Sequence, residues 1–164
     1  GTNRSEKKQM TITVGQKAPA FSLPDQDGNQ ISLENFRGQN LVLYFYPKDD
    51  TPGCTKQAQG FRDLNSEFET RNTVVIGVSP DGAESHNDFI CKYELPFILL
   101  CDEDKVVLAD YEAWGERVRF GKRSMGVIRS AVLIDGEGIV RNHWSKIADA
   151  GAHPQEVLNS LSDE

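Results

Sequence analysis

The feature that most constrains the fold of this chain is the alternation of short apolar runs with helical stretches. Residues 40–46 (NLVLYFY) and 73–78 (TVVIGV) are rich in β-branched and aromatic side chains and are typical of buried strands. The segments that follow them, about 54–69 and 83–93, carry apolar side chains in helical spacing. A strand–helix–strand–helix order predicts parallel strands joined by helical crossovers, and hence an α/β fold.

Further elements are predicted at both ends of the chain. Residues 97–101 (FILLC) and 130–134 (SAVLI) resemble the first two buried strands in composition. Within 133–144, an Asp-Gly-Glu-Gly turn between two extended runs predicts a β-hairpin whose antiparallel strands join the sheet. Residues 153–161 have proline in second position and apolar residues in helical spacing, which predicts a closing amphipathic helix. A polar turn within 19–33 predicts a small hairpin at the N-terminal edge.

The length of 164 residues is that of a single domain. We expect residues 10–164 to form it, because no internal repeat or long linker interrupts that stretch. Residues 1–9 (GTNRSEKKQ) are polar and lack the hydrophobic core of a signal peptide, whereas Met10 suits a native start. We therefore expect residues 1–9 to be a remnant of an expression tag or a disordered leader.

Charge and hydropathy exclude two classes of partner. The chain has 18 Lys and Arg against 25 Asp and Glu, a net charge of -7, whereas nucleic-acid binders usually present a basic face. Its apolar runs are interrupted by Pro, Gly or Asp well before the roughly 18 residues that a membrane span needs. We expect a soluble protein that binds neither nucleic acid nor membranes.

Three cysteines leave at least one unpaired thiol in a monomer. A domain of this length can bury enough apolar surface without disulfides, so the odd count suits a reducing compartment or a reactive thiol. We therefore expect a cytoplasmic protein. A periplasmic location is the alternative if a signal sequence has been removed.

Cys54 lies where a buried strand ends and a helix begins, the position at which α/β sheets collect ligands and chemistry. Thr51 suits the N-cap and Pro52 the first helical position, so Cys54 falls in the first turn. Free backbone N–H groups and the positive end of the helix dipole stabilise a thiolate there. Two interpretations remain at this point, a reactive thiol or a small buried side chain at a helix start.

The segment around Cys54 resembles the peroxidatic loop of the peroxiredoxins. After LVLYFYP, the spacing is Pro47-x3-Thr51-x2-Cys54, and YFYPKDDTPGCT is similar to the subgroup known as bacterioferritin comigratory protein or peroxiredoxin Q. The resemblance covers about residues 12–162, because further segments follow in the family's order: VGQKAPAFSLPDQDG, VIGVSPD, LPFILLCDED, WGE and SMGVIRSAVLID. It implies a thioredoxin-like α/β fold with helices flanking a central mixed β-sheet and an N-terminal β-hairpin extension.

The resemblance also implies which residues carry the chemistry. Cys54 would be the peroxidatic nucleophile, whose thiolate attacks the outer peroxide oxygen and becomes a sulfenic acid. Thr51 would hydrogen-bond the peroxide, and Pro47 would shield the pocket. Arg129, in GVIRSAVLID, would stabilise the thiolate and orient the peroxide, with Arg123 as the alternative arginine.

The resolving thiol departs from the commonest pattern of this subgroup. Many members have a cysteine five residues after the first, and Gln59 occupies that position here. A second pattern places the resolving cysteine in the helix after the second buried strand, which corresponds to Cys91. We expect a transient Cys54–Cys91 disulfide that requires local unfolding of both helix segments. Cys101 and an external thiol are the alternative resolvers.

The implied activity is that of a thiol-dependent peroxidase acting on hydrogen peroxide and organic hydroperoxides. No nucleotide fingerprint is present, and we expect no cofactor, so the reducing equivalents must come from a partner. The resemblance suggests thioredoxin or a glutaredoxin-like protein as that partner. It also suggests a monomer or a weak homodimer.

Three other functions remain as alternatives. A dithiol oxidoreductase of thioredoxin type would need Cys-x-x-Cys, and Thr51 occupies the first of those positions. A metal or haem protein would need closely spaced ligands, whereas His86, His143 and His153 lie far apart, and we interpret each as a surface or packing histidine. A non-catalytic binding protein of the same fold is the third alternative.

Overall fold

The structure, a computed structural model, describes residues 12–161 apart from the side chain of Arg119, so the leader predicted at residues 1–9 lies outside the described residues. The described elements follow one another in this order: β1 (Ser22–Pro24), β2 (Gln30–Ser32), a 3-10 helix (Leu33–Phe36), β3 (Asn40–Phe45), α1 (Pro52–Thr70), β4 (Thr73–Ser79), α2 (Ala83–Tyr93), β5 (Leu99–Cys101), α3 (Val106–Asp110), β6 (Trp114–Arg119), β7 (Lys122–Val127), β8 (Ser130–Ile134), β9 (Val140–Trp144) and α4 (His153–Ser160).

A five-stranded mixed sheet in the order β5-β4-β3-β8-β9 forms the centre of the fold. β3 pairs in parallel with β4, and β4 with β5, as the alternation of strands and helices predicts. β8 pairs antiparallel with both β3 and β9, which confirms the hairpin predicted within residues 133–144. β1 and β2 form the predicted N-terminal hairpin as a separate two-stranded sheet.

The central strand β3 is buried on both of its faces. Leu41, Leu43 and Phe45 belong to one apolar core, which α3 and the N-terminal segment cover. Val42 and Tyr44 alternate with them and belong to a second core beneath α1, α2 and α4. This two-residue alternation is the geometry of a strand between two layers, and it confirms a central sheet flanked by helices.

Three elements are absent from the sequence prediction: the 3-10 helix, α3 and the hairpin of β6 and β7. α3 has only five residues, too few for a helical period to be visible. The hairpin of β6 and β7 carries mostly polar and exposed side chains, so no apolar alternation marks it. α1 begins at Pro52, the first helical position predicted from Thr51 and Pro52 and two residues before the start of its apolar pattern.

Helices α1 and α4 approach each other closely at a glycine. A Cβ atom on Gly60 would lie 2.7 Å from Cγ of Pro154, a separation that real side chains do not show. Gly60 therefore lets the start of α4 rest against α1. The contact fixes His153, the first residue of α4, against the helix that carries Cys54.

The register of β3 against β8 determines what lies beside that loop. Phe45 pairs with Ser130, so the residue before Ser130 lies beside the chain as it leaves β3. Antiparallel pairing thus brings Arg129 to the edge of the sheet at which α1 begins.

Among the described helices, α1 is the longest, and none is long and apolar enough to cross a membrane.

Candidate active site

Cys54 lies in the first turn of α1, as the sequence predicts. Thr51 occupies the N-cap position in extended conformation, and Pro52 is the first helical residue. The hydroxyl of Thr51 does not cap the helix, because it donates a hydrogen bond to the carbonyl oxygen of Lys48, 2.8 Å away. The N–H groups of the first turn consequently receive no acceptor from Thr51 and face the site with the positive end of the helix dipole.

Arg129 contacts the sulfur of Cys54 directly. Its Nη2 lies 3.4 Å from Sγ, and its Nη1 donates to Oε1 of Gln57 over 2.8 Å. Cys54 is only 1% exposed, so a permanent charge faces a sulfur that is shielded from water, where electrostatic interactions are stronger. Arg123, the alternative arginine, instead pairs with Glu116 at 3.6 Å on the exposed hairpin.

Gln57 is a site residue that the sequence interpretation missed. It is fully buried, and it follows Cys54 by three residues on α1, which places both side chains on one face of the helix. That spacing is the only signal in the sequence, since nothing local shows that the arginine just before β8 will meet this face. Gly53 also serves the site, because a Cβ there would lie 3.0 Å from Nη2 of Arg129.

A groove of about 470 Å³ adjoins Arg129. Pro47, half-buried at the end of β3, forms one wall of it. Val118 on β6, Val127 on β7 and the adjacent Ile128 form an apolar wall of the groove, whose lining also includes the charged residues Glu116, Arg117 and Lys146. The structure therefore brings Pro47 and Arg129 to one opening, while Thr51 lies in the loop between Pro47 and α1.

The three cysteines are free thiols in different environments. Cys91 is exposed on α2, whereas Cys101 is buried with its Sγ 3.8 Å from the carbonyl oxygen of Asp25. Burial, aided by carboxylates of which Glu103 is the foremost, raises the pKa of Cys101 to about 11, so this group is a neutral thiol at physiological pH. The Cys54–Cys91 disulfide stays a prediction.

Asp49, in the loop before α1, joins this loop to α2. One of its oxygens lies 2.8 Å from the donating hydroxyl of Ser85 and 2.7 Å from Nδ1 of His86. The other accepts a hydrogen bond from Tyr46 over 2.6 Å. Asp49 is 7% exposed, so three protein donors replace the water around its carboxylate.

Asp50 makes a second connection, nearer the C-terminal end of α2. Its carboxylate accepts hydrogen bonds from Nζ of Lys92 at 2.8 Å and from the hydroxyl of Tyr93 at 2.7 Å. These two groups hold the pKa of Asp50 below its usual value. We refer to Asp49 and Asp50, with their partners Ser85, His86, Lys92 and Tyr93, as the loop–helix clasp.

His86 is fully buried and carries a proton on each ring nitrogen. Nδ1 faces the carboxylate of Asp49, and Nε2 faces the carbonyl oxygen of Leu100 at 2.9 Å; both partners can only accept. Burial alone lowers the pKa of His86, but the hydrogen bond and charge of Asp49 outweigh it, so the net pKa is raised. The sequence interpretation of His86 as a packing residue therefore omits its charge.

Asp49, Asp81 and His86 bring potential metal-binding atoms within 4.8 Å of one another. Both nitrogens of His86 are occupied by acceptors, which leaves no lone pair for a metal. Asp81 accepts from the hydroxyl of Ser79 and from the backbone N–H of Asp49, each over 2.8 Å. Asp49, Asp81 and His86 therefore form a hydrogen-bonded cluster rather than a set of free metal ligands.

The chain is similar to known proteins over most of its length. The model of the AhpC/TSA family matches residues 14–143. The chain is similar to Peroxiredoxin Bcp of Bacillus subtilis, with 44% identity over 154 residues, 94% of this chain and 98% of that protein. It is 47% identical to a putative peroxiredoxin bcp of Coxiella burnetii over 152 residues, 93% of this chain and 100% of the relative. The solved structure of Xanthomonas campestris Peroxiredoxin Q has 34% identity and a TM-score of 0.85, and the match covers 92% of this chain and 98% of that one.

These matches extend over nearly the whole described fold and include the segment that holds Cys54. The chain belongs to the AhpC/TSA family. Its fold is the thioredoxin-like fold of the peroxiredoxins, and its activity is that of a thiol-dependent peroxidase, an oxidoreductase that uses a peroxide and a thioredoxin-type reductant.

Substitution of Gly53 by alanine tests how closely Arg129 must approach Cys54. In Gly53→Ala the new Cβ displaces the guanidinium, so we expect the reaction of the reduced protein with hydrogen peroxide to slow by about tenfold. The free energy of unfolding should stay within about 1 kcal/mol, because alanine favours a helix. Stopped-flow tryptophan fluorescence measures the rate and urea unfolding the stability. Gly151→Ala, whose new Cβ would lie 3.6 Å from Oδ1 of Asp149, is the matched control; an unaltered rate in Gly53→Ala would contradict the prediction.

The charged state of His86 predicts a pH-dependent contribution to stability. The pKa of His86 is raised above its usual value of 6.5 in the folded state. The contribution of His86 to the free energy of unfolding is therefore complete below pH 6.5 and is lost as the pH rises through the folded pKa. Burial lowers the pKa of His86, and in Asp49→Asn no carboxylate at position 49 opposes that effect. We expect this variant to be less stable than the parent by about 3 kcal/mol at pH 6, with a smaller deficit at pH 9.

Urea unfolding of both proteins from pH 6 to pH 9 measures this difference in stability. The control is Asp63→Asn, whose exposed carboxylate pairs with Arg62, and it should show a small deficit at every pH. A deficit of Asp49→Asn that is constant with pH, or larger at pH 9, would show that His86 is neutral in the folded protein.

Proposed function

We propose that Cys54 is the peroxidatic nucleophile and that it reduces hydrogen peroxide and organic hydroperoxides. The observation that carries the proposal is the contact of Arg129 with the buried Sγ at the start of α1. The relative from Xanthomonas campestris, bacterioferritin comigratory protein, is associated with alkyl peroxide reduction activity, which supports organic substrates. The apolar wall of the groove beside Arg129 also suits an organic substituent.

In the proposed reaction the thiolate of Cys54 attacks the outer oxygen of the hydroperoxide. The sulfur–oxygen bond forms as the oxygen–oxygen bond breaks, and the sulfur supplies the electron pair that reduces the peroxide. The inner oxygen leaves with the electron pair of the broken oxygen–oxygen bond and takes a proton from solvent, which yields an alcohol, or water when hydrogen peroxide is the substrate. Cys54 becomes a sulfenic acid.

The surrounding residues have distinct roles in this proposal. Nη2 of Arg129 stabilises the thiolate and the negative charge that develops on the leaving oxygen. The hydroxyl of Thr51 donates its hydrogen bond to the carbonyl oxygen of Lys48, which leaves an oxygen lone pair free to accept a hydrogen bond from the peroxide O–H. Pro47 limits the access of water from the groove.

We assign Cys91 as the resolving thiol. Its sulfur would attack that of the Cys54 sulfenic acid, so that a disulfide forms and water leaves. Cys91 suits the role because it is exposed, whereas Cys101 is buried and its raised pKa keeps it protonated. Since Cys54 is buried in α1 and Cys91 lies on α2, the helix segments must open before the sulfurs meet.

Recycling then requires a dithiol that attacks the disulfide and releases both cysteines in two exchange steps. Within the thioredoxin-type class we propose thioredoxin itself, with a glutaredoxin-like protein as the alternative. We further propose that the chain acts in the cytoplasm, as a monomer or a weak homodimer. The odd number of cysteines suits a reducing compartment.

The nucleophile is tested by replacing each buried cysteine separately. Cys54→Ser should abolish peroxide consumption in an assay coupled to thioredoxin and its reductase, because serine cannot supply a thiolate. Cys101→Ser is the matched control and should keep most of the activity. Peroxidase activity in Cys54→Ser would refute the assignment, and rapid Cys54-dependent reduction of insulin with negligible peroxide consumption would instead favour a dithiol oxidoreductase.

The resolving thiol is tested by mapping the disulfide after treatment with one equivalent of hydrogen peroxide. Mass spectrometry of the parent should show a Cys54–Cys91 linkage, whereas Cys91→Ser should accumulate a sulfenic acid at Cys54. Cys101→Ser should form the same linkage as the parent. A Cys54–Cys101 linkage, or a sulfenic acid that persists in the parent, would remove Cys91 from the role.

A further inference from the structure

We infer that His153, at the start of α4, is a positioning residue for Arg129 and acts on it through Gln57. The inference rests on the proposed roles of Cys54 and Arg129. His153 does not touch Cys54 or any atom that reacts. It determines how the amide of Gln57 is oriented, and that amide in turn holds the guanidinium against the sulfur.

Three consecutive contacts connect His153 with the sulfur. Nδ1 of His153 lies 3.2 Å from Nε2 of Gln57, Oε1 of Gln57 accepts from Nη1 of Arg129 at 2.8 Å, and Nη2 of Arg129 lies 3.4 Å from Sγ of Cys54. Gln57 and His153 are both fully buried. Water therefore cannot replace either partner in the contact between His153 and Gln57.

The donors and acceptors in this connection permit one arrangement. A guanidinium can only donate, so the oxygen of Gln57 must face Arg129 and its NH₂ group must face His153. Nδ1 of His153 must then accept, which requires a neutral imidazole with its proton on Nε2. Burial, followed by the charge of Arg129, lowers the pKa of His153 to about 4, so the ring is neutral at physiological pH.

A packing role alone would not need a histidine at this position. The ring makes edge contacts with Phe61 and Trp144, at centroid distances of 5.8 and 5.3 Å, which a phenyl ring could also make. Among the described residues, Nε2 of His153 has no hydrogen-bond partner, and a buried N–H without a partner is unfavourable. The benefit of the histidine lies at Nδ1, because without that acceptor the buried NH₂ of Gln57 would have no partner and the amide could turn away from Arg129.

Two substitutions distinguish the role of the hydrogen-bond acceptor Nδ1 of His153 from the role of its aromatic ring. His153→Phe keeps an aromatic ring beside Phe61 and Trp144 but has no acceptor. His153→Asn loses the ring but can place its side-chain oxygen close to the position of Nδ1. In single-turnover stopped-flow experiments with hydrogen peroxide, we expect His153→Phe to react at least about tenfold more slowly than the parent, and His153→Asn to stay within about threefold.

The order of stabilities should be the reverse of the order of rates. Urea unfolding should find His153→Asn less stable than His153→Phe, because asparagine leaves a cavity between the aromatic rings. A structural role would slow the less stable variant more. A parental rate in His153→Phe, or a rate in His153→Asn below that of His153→Phe, would overturn the inference.

The tautomer of His153 provides a test that needs no substitution. Two-bond proton–nitrogen correlation spectra of the reduced parent protein should show Nδ1 without a proton and Nε2 with one. A proton on Nδ1 would overturn the inference even if His153→Phe failed to fold. If Cys54→Ser reacted with peroxide as fast as the parent, the proposed function itself would fail, an outcome distinct from parental reactivity in His153→Phe.

Discussion

The pairing of β3 with β8 is the constraint on which the rest of the site depends. β3 ends at Phe45, and the loop that leaves it leads into α1 and Cys54. β8 begins at Ser130, which pairs with Phe45, so Arg129 lies at the edge of the sheet where β3 ends. The cation and the thiol come from segments far apart in sequence, and their contact exists only because these strands are antiparallel in this register. A slip of one residue would direct the side chains of β8 to opposite faces.

The two apolar cores make that register difficult to change. Alternate residues of β3 belong to different cores, and all five residues of β8 are buried. A shifted strand would exchange side chains between two interiors of different shape, which close packing does not tolerate. The cores therefore do more than stabilise the fold, because the same packing that buries β3 and β8 also sets the distance between Arg129 and Cys54.

Much of this architecture could be predicted from local sequence patterns, whereas the side-chain contacts between elements could not. Buried strands and helices have a period that a short window reveals, and Pro52 with Thr51 marks where α1 begins. The place of Arg129 followed from the family resemblance and not from any local period. Gln57 was missed because its role needs β8 beside α1.

His153 and His86 illustrate the same limit for buried polar residues. The contact of His153 with Gln57 depends on the close approach of α4 to α1 at Gly60. The charge of His86 depends on an aspartate from the active-site loop and a carbonyl from β5. A sequence pattern can predict that a histidine is buried, but its protonation is decided by groups that folding brings from other elements.

The loop–helix clasp holds the two ends of α2 with unequal strength, and this bears on how a buried and an exposed thiol could meet. Near the N-terminal end, Asp49 and His86 form a buried pair, which is costly to separate. Near Cys91, the pair of Asp50 with Lys92 is exposed and screened by water.

Glu94, just beyond the last turn of α2, adopts a left-handed backbone conformation with φ of 55°, which is unfavourable for this residue type. Local opening that begins at this end would release Cys91 while Asp49 still held the loop in place. In the proposed function, the same helix would support the geometry around Cys54 during attack on the peroxide and would supply the sulfur of Cys91 afterwards.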